Sequence, residues 1–200
     1  TALNVNLARI SPDTAEVLAY EYDAHLGGRN FIEVIVEDVV KWCKEQKKVT
    51  IEPNTKQWLK IRRACEKTLH TLSANGQARI TIENVTDSLD VALNYNRDDF
   101  NKIVQERFEE RLIAPIQKMI EQYPDLLRDG VLQTDSFEII GGATRIPFVQ
   151  QLITSKYGIS ISKTLDADEA LACGAALRCA ALSTTKKMRK SLSVVEKKVH

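Results

Sequence analysis

Residues 137–152 read FEIIGGATRIPFVQQL, and this stretch decides how the rest of the sequence is interpreted. A short apolar, β-branched run stops at Gly141 and Gly142, and apolar residues resume at helical spacing behind a proline. The pattern predicts a buried strand over 137–140, a tight turn at the glycines, and a helix over 146–157.

Paired glycines at such a junction suit a ligand that lies against the main chain. They have no side chain to block its approach, and the start of the next helix offers unpaired N–H groups and the positive end of its dipole. A phosphate or the sugar of a nucleotide fits such a turn. Thr144 offers a hydroxyl, and Arg145 a flat cation that can stack on a purine. A tight turn without a ligand is the alternative, because a full Walker sequence is absent.

The composition is that of an ordinary globular protein. The 200 residues are 44% hydrophobic and 28% charged, which allows one sizeable core or two small ones. The formal net charge is +1, so no overall field favours nucleic acid or an anionic membrane. Uncharged apolar stretches are far shorter than the ~20 residues of a membrane-spanning helix. We therefore expect neither a nucleic-acid nor a membrane partner.

Hydrophobic periodicity divides the sequence into strands and helices. The predicted elements are strands at 3–10 and 15–22, helices at 32–46 and 55–73, strands at 78–85 and 90–96, a helix from 97 to about 122, the strand at 137–140, the helix at 146–157, a short strand at 159–162 and a helix over 166–182. Pro115 is expected to kink or divide its helix. The order predicts an α/β lobe with an inserted subdomain. Because strand pattern begins at the first residues, we expect a fragment of a longer chain.

Four cysteines, none in a C-x-x-C pair, fall inside helical apolar patterns: Cys43, Cys65, Cys173 and Cys179. The pattern predicts buried free thiols in a reducing compartment, with a metal or redox site as the alternative. Residues 184–200 are rich in lysine and lack a clear apolar face, which is typical of an exposed basic tail or linker.

Four stretches in one order carry a resemblance to a known family. They are LGGRNF (26–31), RRACEKTLHTLSANGQ (62–77), GGATRIP (141–147) and LDADEALACGAAL (165–177). They closely resemble motifs of the Hsp70 superfamily of chaperones, in which GGATRIP matches Gly-Gly-Ser/Ala-Thr-Arg-Ile-Pro and DADEALACGAAL is similar to Asn-x-Asp-Glu-Ala-x-x-x-Gly-Ala-Ala. The resemblance covers residues 1 to about 185. Arg29, the run 72–75 and the GGATR sequence look most like the Hsp110 branch.

The resemblance implies the actin-like ATPase fold, which is ribonuclease H-like, and identifies this chain with its C-terminal lobe. A base subdomain would comprise 1–26 and 105–183, an inserted α+β subdomain 27–104, and a basic tail 184–200. ATP or ADP is the implied cofactor, with magnesium held mainly by the family's other lobe. The resemblance therefore implies no catalytic residue and no metal ligand in this chain.

The resemblance also assigns roles at the glycine junction. It implies that Gly141, Gly142 and Ala143 lie against the ribose and phosphates of the nucleotide. It implies that Arg145 stacks on the adenine and that Asp168 supports the nucleotide site.

A second set of implied site residues lies on the 55–73 helix. Glu66 and Ser73 would reach the adenosine, and their seven-residue spacing puts them on one helical face. Leu69 and His70 stand where the family usually has two cations, so the adenine clamp loses one cation and has a histidine in place of the other. We expect weaker adenosine binding than in a typical member. A packed Leu69 and an ordinary surface His70 are the alternatives.

The leading functional expectation is a lobe of an Hsp110-type chaperone. Such proteins bind ATP, hold unfolded proteins through a separate domain, and act as nucleotide exchange factors for an Hsp70 partner. A standard ATP-hydrolysing Hsp70 is the main alternative, and a sugar kinase or filament protein of the actin-like fold is a further one. This lobe alone is not expected to hydrolyse ATP at a useful rate. The expected location is the cytoplasm, with an endoplasmic-reticulum relative as the alternative.

Overall fold

Three small β-sheets and five α-helices make up the described part of the chain, residues 2–183 and 193–196, in this computed structural model. The strands are β1 (Leu3–Ile10), β2 (Thr14–Asp23), β3 (Gln77–Thr86), β4 (Leu89–Asn96), β5 (Leu127–Arg128), β6 (Val131–Leu132) and β7 (Ser193–Glu196). The helices are α1 (Gly28–Lys47), α2 (Lys56–Ala74), α3 (Arg97–Gln122), α4 (Pro147–Tyr157) and α5 (Ala170–Leu182).

The first sheet contains the predicted hairpin of β1 and β2. The strands are antiparallel, with a register shift between Leu7 and Ala8. The Ser11 backbone N–H donates to the Thr14 carbonyl oxygen at 2.8 Å and closes the turn. β7 lies parallel to the start of β2. Residues 193–196 of the predicted tail thus form a strand, and the other residues of 184–200 lie outside the described part of the chain.

The densest packing joins α1, α2 and the antiparallel hairpin of β3 and β4. Their buried side chains follow the predicted stripes and include Phe31, Ile35, Val39, Ile61, Cys65, Leu72, Ile80 and Val91. Both helices and both strands are thus confirmed. α1 begins four residues before its predicted start, because the Asn30 Oδ1 atom accepts a hydrogen bond from the Gly27 N–H at 2.8 Å and caps the helix.

α3 connects this packed region to the first sheet. Asn96 caps its N-terminus, since Asn96 Oδ1 accepts a hydrogen bond from the Asp98 N–H at 2.9 Å. Pro115 lies inside the helix and does not divide it. Arg111 donates to both carboxylate oxygens of Asp23 at 2.8–3.0 Å, which fixes α3 to the end of β2. The subdomain boundary predicted at 104–105 falls inside this continuous helix.

The strands predicted at 137–140 and 159–162 are wrong as strands. They are reduced to one isolated parallel bridge between Glu138 and Ser162. Polar side chains supply much of the hydrogen bonding there: the Thr164 hydroxyl donates to Glu138 at 2.5 Å, and the Ser136 hydroxyl donates to Ser162 Oγ at 3.0 Å. Such side-chain bonds compete with a regular backbone ladder.

α5 is the most apolar helix, yet none of its residues is buried. Cys173 and Cys179 on this helix are exposed, so the prediction of buried thiols is wrong for them and confirmed for Cys43 and Cys65. Burial raises the pKa of the Cys65 thiol to about 12. All four thiols are free. Neither α5 nor another helix of the described residues is long and apolar enough to cross a membrane.

Candidate nucleotide site

The glycine junction has an unusual backbone. Gly141 has φ +95°, which residues with a side chain rarely adopt. A Cβ atom built on Gly141 or Gly142 would meet nothing within 4 Å, so the main chain there faces open space. Residues Gly142–Arg145 then form a single 3₁₀ turn. The backbone is therefore accessible to a ligand at the point that the sequence indicated.

The helix predicted after the glycines is confirmed, and it begins one residue after its predicted start. α4 starts at Pro147, and the 3₁₀ turn separates its N-terminus from the glycine pair. Thr144 also differs from its expected role, because its hydroxyl donates to the Gly141 carbonyl oxygen at 2.7 Å. Gln150 Nε2 donates to the Thr144 carbonyl oxygen at 2.7 Å. Thr144 thus holds the turn in shape instead of presenting a free hydroxyl.

Arg145 and Asp168 come together although 23 residues separate them in the sequence. The Arg145 guanidinium donates to an Asp168 carboxylate oxygen in an ion pair. The two side chains are 49% and 62% exposed, so the planar guanidinium keeps a free surface. The Gly141 N–H donates to the Ala167 carbonyl oxygen at 2.8 Å. The structure therefore brings together the two segments predicted to share a site.

Asp166 organises the segment that approaches the glycine turn, and the sequence analysis did not include it among the site residues. Its Oδ1 atom accepts from the backbone N–H groups of Asp168 at 2.8 Å and Glu169 at 2.9 Å. These backbone bonds to Glu169 and Asp168 lower the pKa of the Asp166 carboxyl. The available signal was the Asp-x-Asp-Glu run before an apolar helix, of which only Asp168 was assigned to the site.

The second glycine pair of the sequence meets the first in space. A Cβ atom built on Gly28 would lie 3.5 Å from the Ala143 Cβ atom. α1 therefore begins beside the 141–145 turn. Gly28 was not predicted as a site residue, and its place before a helix in LGGRNF was the available signal.

Glu66, His70 and Ser73 lie on the outer face of α2. Glu66 and His70 are exposed and Ser73 is half-buried, whereas Ile61 and Cys65 turn inward. Their shared face agrees with the spacing, and their contact with a ligand stays a prediction. The Ser73 hydroxyl donates to the His70 carbonyl oxygen at 2.7 Å.

Leu69 packs against the hydrophobic core, which favours the packing alternative for that residue. Within the described residues no three His, Cys, Asp or Glu side chains are grouped to hold a metal ion. A surface groove of about 660 Å³ runs along α3 among charged side chains such as Lys102, Glu106 and Glu110. It is lined by one helix with both signs of charge, and we assign it no role.

Comparison with known proteins gives a consistent set of relatives. The sequence matches the family described as Hsp70 protein over residues 1–195. It is 36% identical over 190 residues, or 94% of the chain, to heat shock 70 kDa protein 4L of Homo sapiens. It is 37% identical over 174 residues, or 87% of the chain, to a heat shock protein homolog of Saccharomyces cerevisiae. It is 35% identical over 190 residues, or 93% of the chain, to heat shock cognate 70 kDa protein 3 of Dictyostelium discoideum. The chain spans 22% to 29% of the length of these relatives.

Proposed function

Because this chain belongs to the Hsp70 protein family, we propose that it is an ATP-binding lobe whose 141–145 turn holds the nucleotide. Membership of the family implies an actin-like ATPase fold, and the mixed arrangement of small sheets and helices is compatible with it. We assign the chain to the second lobe, with 1–26 and 105–183 as its base and 27–104 as its inserted subdomain.

One observation carries the proposal. An open main chain at Gly141 and Gly142 lies directly beside a half-exposed guanidinium that is already oriented by a carboxylate. A main chain without covering side chains lets phosphates and ribose approach closely, while the Gly141 N–H itself is donated to the Ala167 carbonyl oxygen. A planar cation suits the face of a purine, because the guanidinium both stacks and carries charge. Ala143 lies at the same turn, and Asp168 holds the cation.

α2 supplies the second part of the proposed site. Glu66, His70 and Ser73 share its outer face, from which they would reach the adenosine. The Ser73 hydroxyl hydrogen is already donated to the His70 carbonyl oxygen, so in this conformation Ser73 offers a ligand only acceptor capacity. With apolar Leu69 packed inward, the site has fewer cations than the family pattern, and weaker adenosine binding is the expected consequence.

Within the family, the sequence is most like the Hsp110 branch. We therefore propose that the full protein is a nucleotide exchange factor for an Hsp70 partner and holds unfolded proteins through parts beyond this chain. We further propose that the protein is cytoplasmic and that the other lobe holds most of the contacts to magnesium. A standard ATP-hydrolysing Hsp70 is the alternative. Accelerated ADP release from a separate Hsp70, with slow intrinsic hydrolysis, would favour the exchange factor.

The proposed site is tested by calorimetric titration of ATP into the natural polypeptide that carries this chain. Arg145→Ala is expected to weaken binding by about tenfold, the loss that corresponds to about 1.4 kcal/mol of stacking and charge. Arg145→Lys keeps the positive charge but lacks the planar guanidinium, so its ATP affinity should lie between those of the wild type and the alanine variant. Arg128→Ala, at a surface ion pair on another turn, is the matched control. Equal affinity of Arg145→Ala and the wild type would reject the assignment of Arg145.

A further inference from the structure

The turn at 166–169 contacts both ends of the 141–145 segment, and the Asp166 carboxylate accepts two backbone N–H groups within that turn. We propose that Asp166 is a positioning residue, which sets the Arg145 guanidinium for the nucleotide by fixing the backbone that carries Asp168. The proposal rests on the nucleotide function proposed above, and it concerns a residue that takes no direct part in binding.

The contacts form a short chain. Asp166 Oδ1 accepts from the N–H groups of Asp168 and Glu169 at 2.8 and 2.9 Å, which closes the 166–169 turn. The Ala167 carbonyl oxygen, inside that turn, accepts from the Gly141 N–H at 2.8 Å. The Asp168 carboxylate pairs with Arg145. One turn thus contacts the first and the last residue of the 141–145 segment.

A purely structural purpose explains this arrangement poorly. α5, the helix that follows the turn, has no buried residue, so capping it supports no buried apolar face. The Arg145–Asp168 pair is about half exposed on each side, and ion pairs of this kind contribute little to stability. What the contacts do determine is the direction of the guanidinium and the position of Gly141.

The identity of residue 166 gives a sharp test. The resembling family motif has asparagine at this position, whereas this chain has aspartate. An amide oxygen can accept the same two backbone bonds, but it carries no charge. If Asp166 acts by holding the turn, Asp166→Asn retains function and Asp166→Ala does not. If it acts through its charge, the two variants are equally impaired.

The experiment measures ATP affinity of the full polypeptide by calorimetry for Asp166→Ala, Asp166→Asn and Glu169→Gln. Asp166→Ala is expected to bind ATP about three- to tenfold more weakly, because it loses the two hydrogen bonds that close the turn. The ATP affinity of Asp166→Asn should stay within about twofold of the wild type. The same holds for the control Glu169→Gln, which removes one charge from the same turn. Equal loss in the alanine and asparagine variants would overturn the proposal.

A double-mutant cycle tests whether Asp166 acts through Arg145. In an Arg145→Ala background, Asp166→Ala should cause a clearly smaller loss of ATP affinity than in the wild type, because the guanidinium that it orients is gone and only its effect on Gly141 remains. A general structural role predicts additive losses instead, and additivity would overturn the proposal. If Asp166→Ala does not fold, Asp166→Ser replaces it in the cycle, because the serine hydroxyl is a weaker acceptor. Additive losses of ATP affinity would again overturn the proposal.

Hydrogen exchange without nucleotide separates this proposal from the proposed function. Asp166→Ala should accelerate exchange of the Gly141 amide, which lies 25 residues away in the sequence but bonds to Ala167. Absence of ATP binding in the wild type would refute the nucleotide function, and the exchange of Gly141 would still decide the positioning role. Unchanged exchange in Asp166→Ala would overturn that role even where ATP binds.

Discussion

The region of α1, α2 and the β3–β4 hairpin packs differently from a second region, the segments 137–145 and 158–182 on either side of α4. In the first region, periodic apolar side chains are fully buried, as Val39, Ile61 and Val91 are at 0% exposure. In the second, Leu171 on α5 is 71% exposed, and polar contacts such as those of Asp166 hold the backbone. The candidate ligand surface therefore lies in the region where few side chains are buried and the main chain is accessible.

The largest expected difference concerns stability. Ile61→Ala removes a fully buried side chain from the core between α1, α2 and the hairpin, and should cost about 2–4 kcal/mol of unfolding free energy. Leu171→Ala, on the exposed face of α5, should change it by less than about 0.5 kcal/mol. Urea unfolding of both variants measures the contrast. Similar losses in the two variants would mean that α5 is packed, and the comparison would fail.

Two glycines give a smaller contrast. Gly158 ends α4 with φ +58°, and an added Cβ atom would approach Val131 Cγ2 to 3.1 Å. Gly158→Ala should therefore destabilise the protein by about 1–2 kcal/mol. Gly174 lies inside α5 with open space around it, so Gly174→Ala should stabilise by about 0.5–1 kcal/mol through helix propensity. Opposite signs in thermal unfolding are the expected result, and a destabilising Gly174→Ala would show a close neighbour at that glycine.

The smallest effect concerns the contact between β2 and α3. Burial alone would raise the pKa of Asp23, but the His25 backbone N–H and the Arg111 guanidinium outweigh burial and lower it. Because the pKa of Asp23 is lower in the folded protein, its carboxylate stabilises the fold at pH values above its unfolded-state pKa of about 3.9. This stability is lost as the pH falls through the folded-state pKa. Asp23→Asn should cost about 0.5–1 kcal/mol at pH 7 and less towards pH 3. A cost independent of pH would contradict the ionic origin.

The sequence predicted most of the packed region. The stripe of α2 and the alternation of β3 and β4 are correct, because these elements bury one face each and burial imposes a period. α1 was predicted to begin too late, since its cap depends on the Asn30 side chain folding back to Gly27. Such a local bond leaves no trace in hydrophobic periodicity.

The segment after 137 was predicted less well, for two physical reasons. Its predicted strands lack extended pairing, and polar side chains at Glu138 and Thr164 replace ladder bonds. α5 is apolar except for Arg178, so periodicity defines no buried face, and the burial of Cys173 and Cys179 was predicted wrongly. The motifs at 141–147 and 165–177 nevertheless pointed to Arg145 and Asp168, which are in contact. Their roles, like the subdomain division, stay predictions.

The central claim is that a nucleotide rests on the open main chain of the 141–145 turn. The most direct measurement is an ATP titration of the natural polypeptide followed by the amide resonances of its glycines. We expect large shifts for Gly141 and Gly142 and unchanged resonances for Gly76 and Gly130, which lie on other turns. ATP binding that leaves Gly141 and Gly142 unmoved, or that moves only the remote glycines, would contradict it.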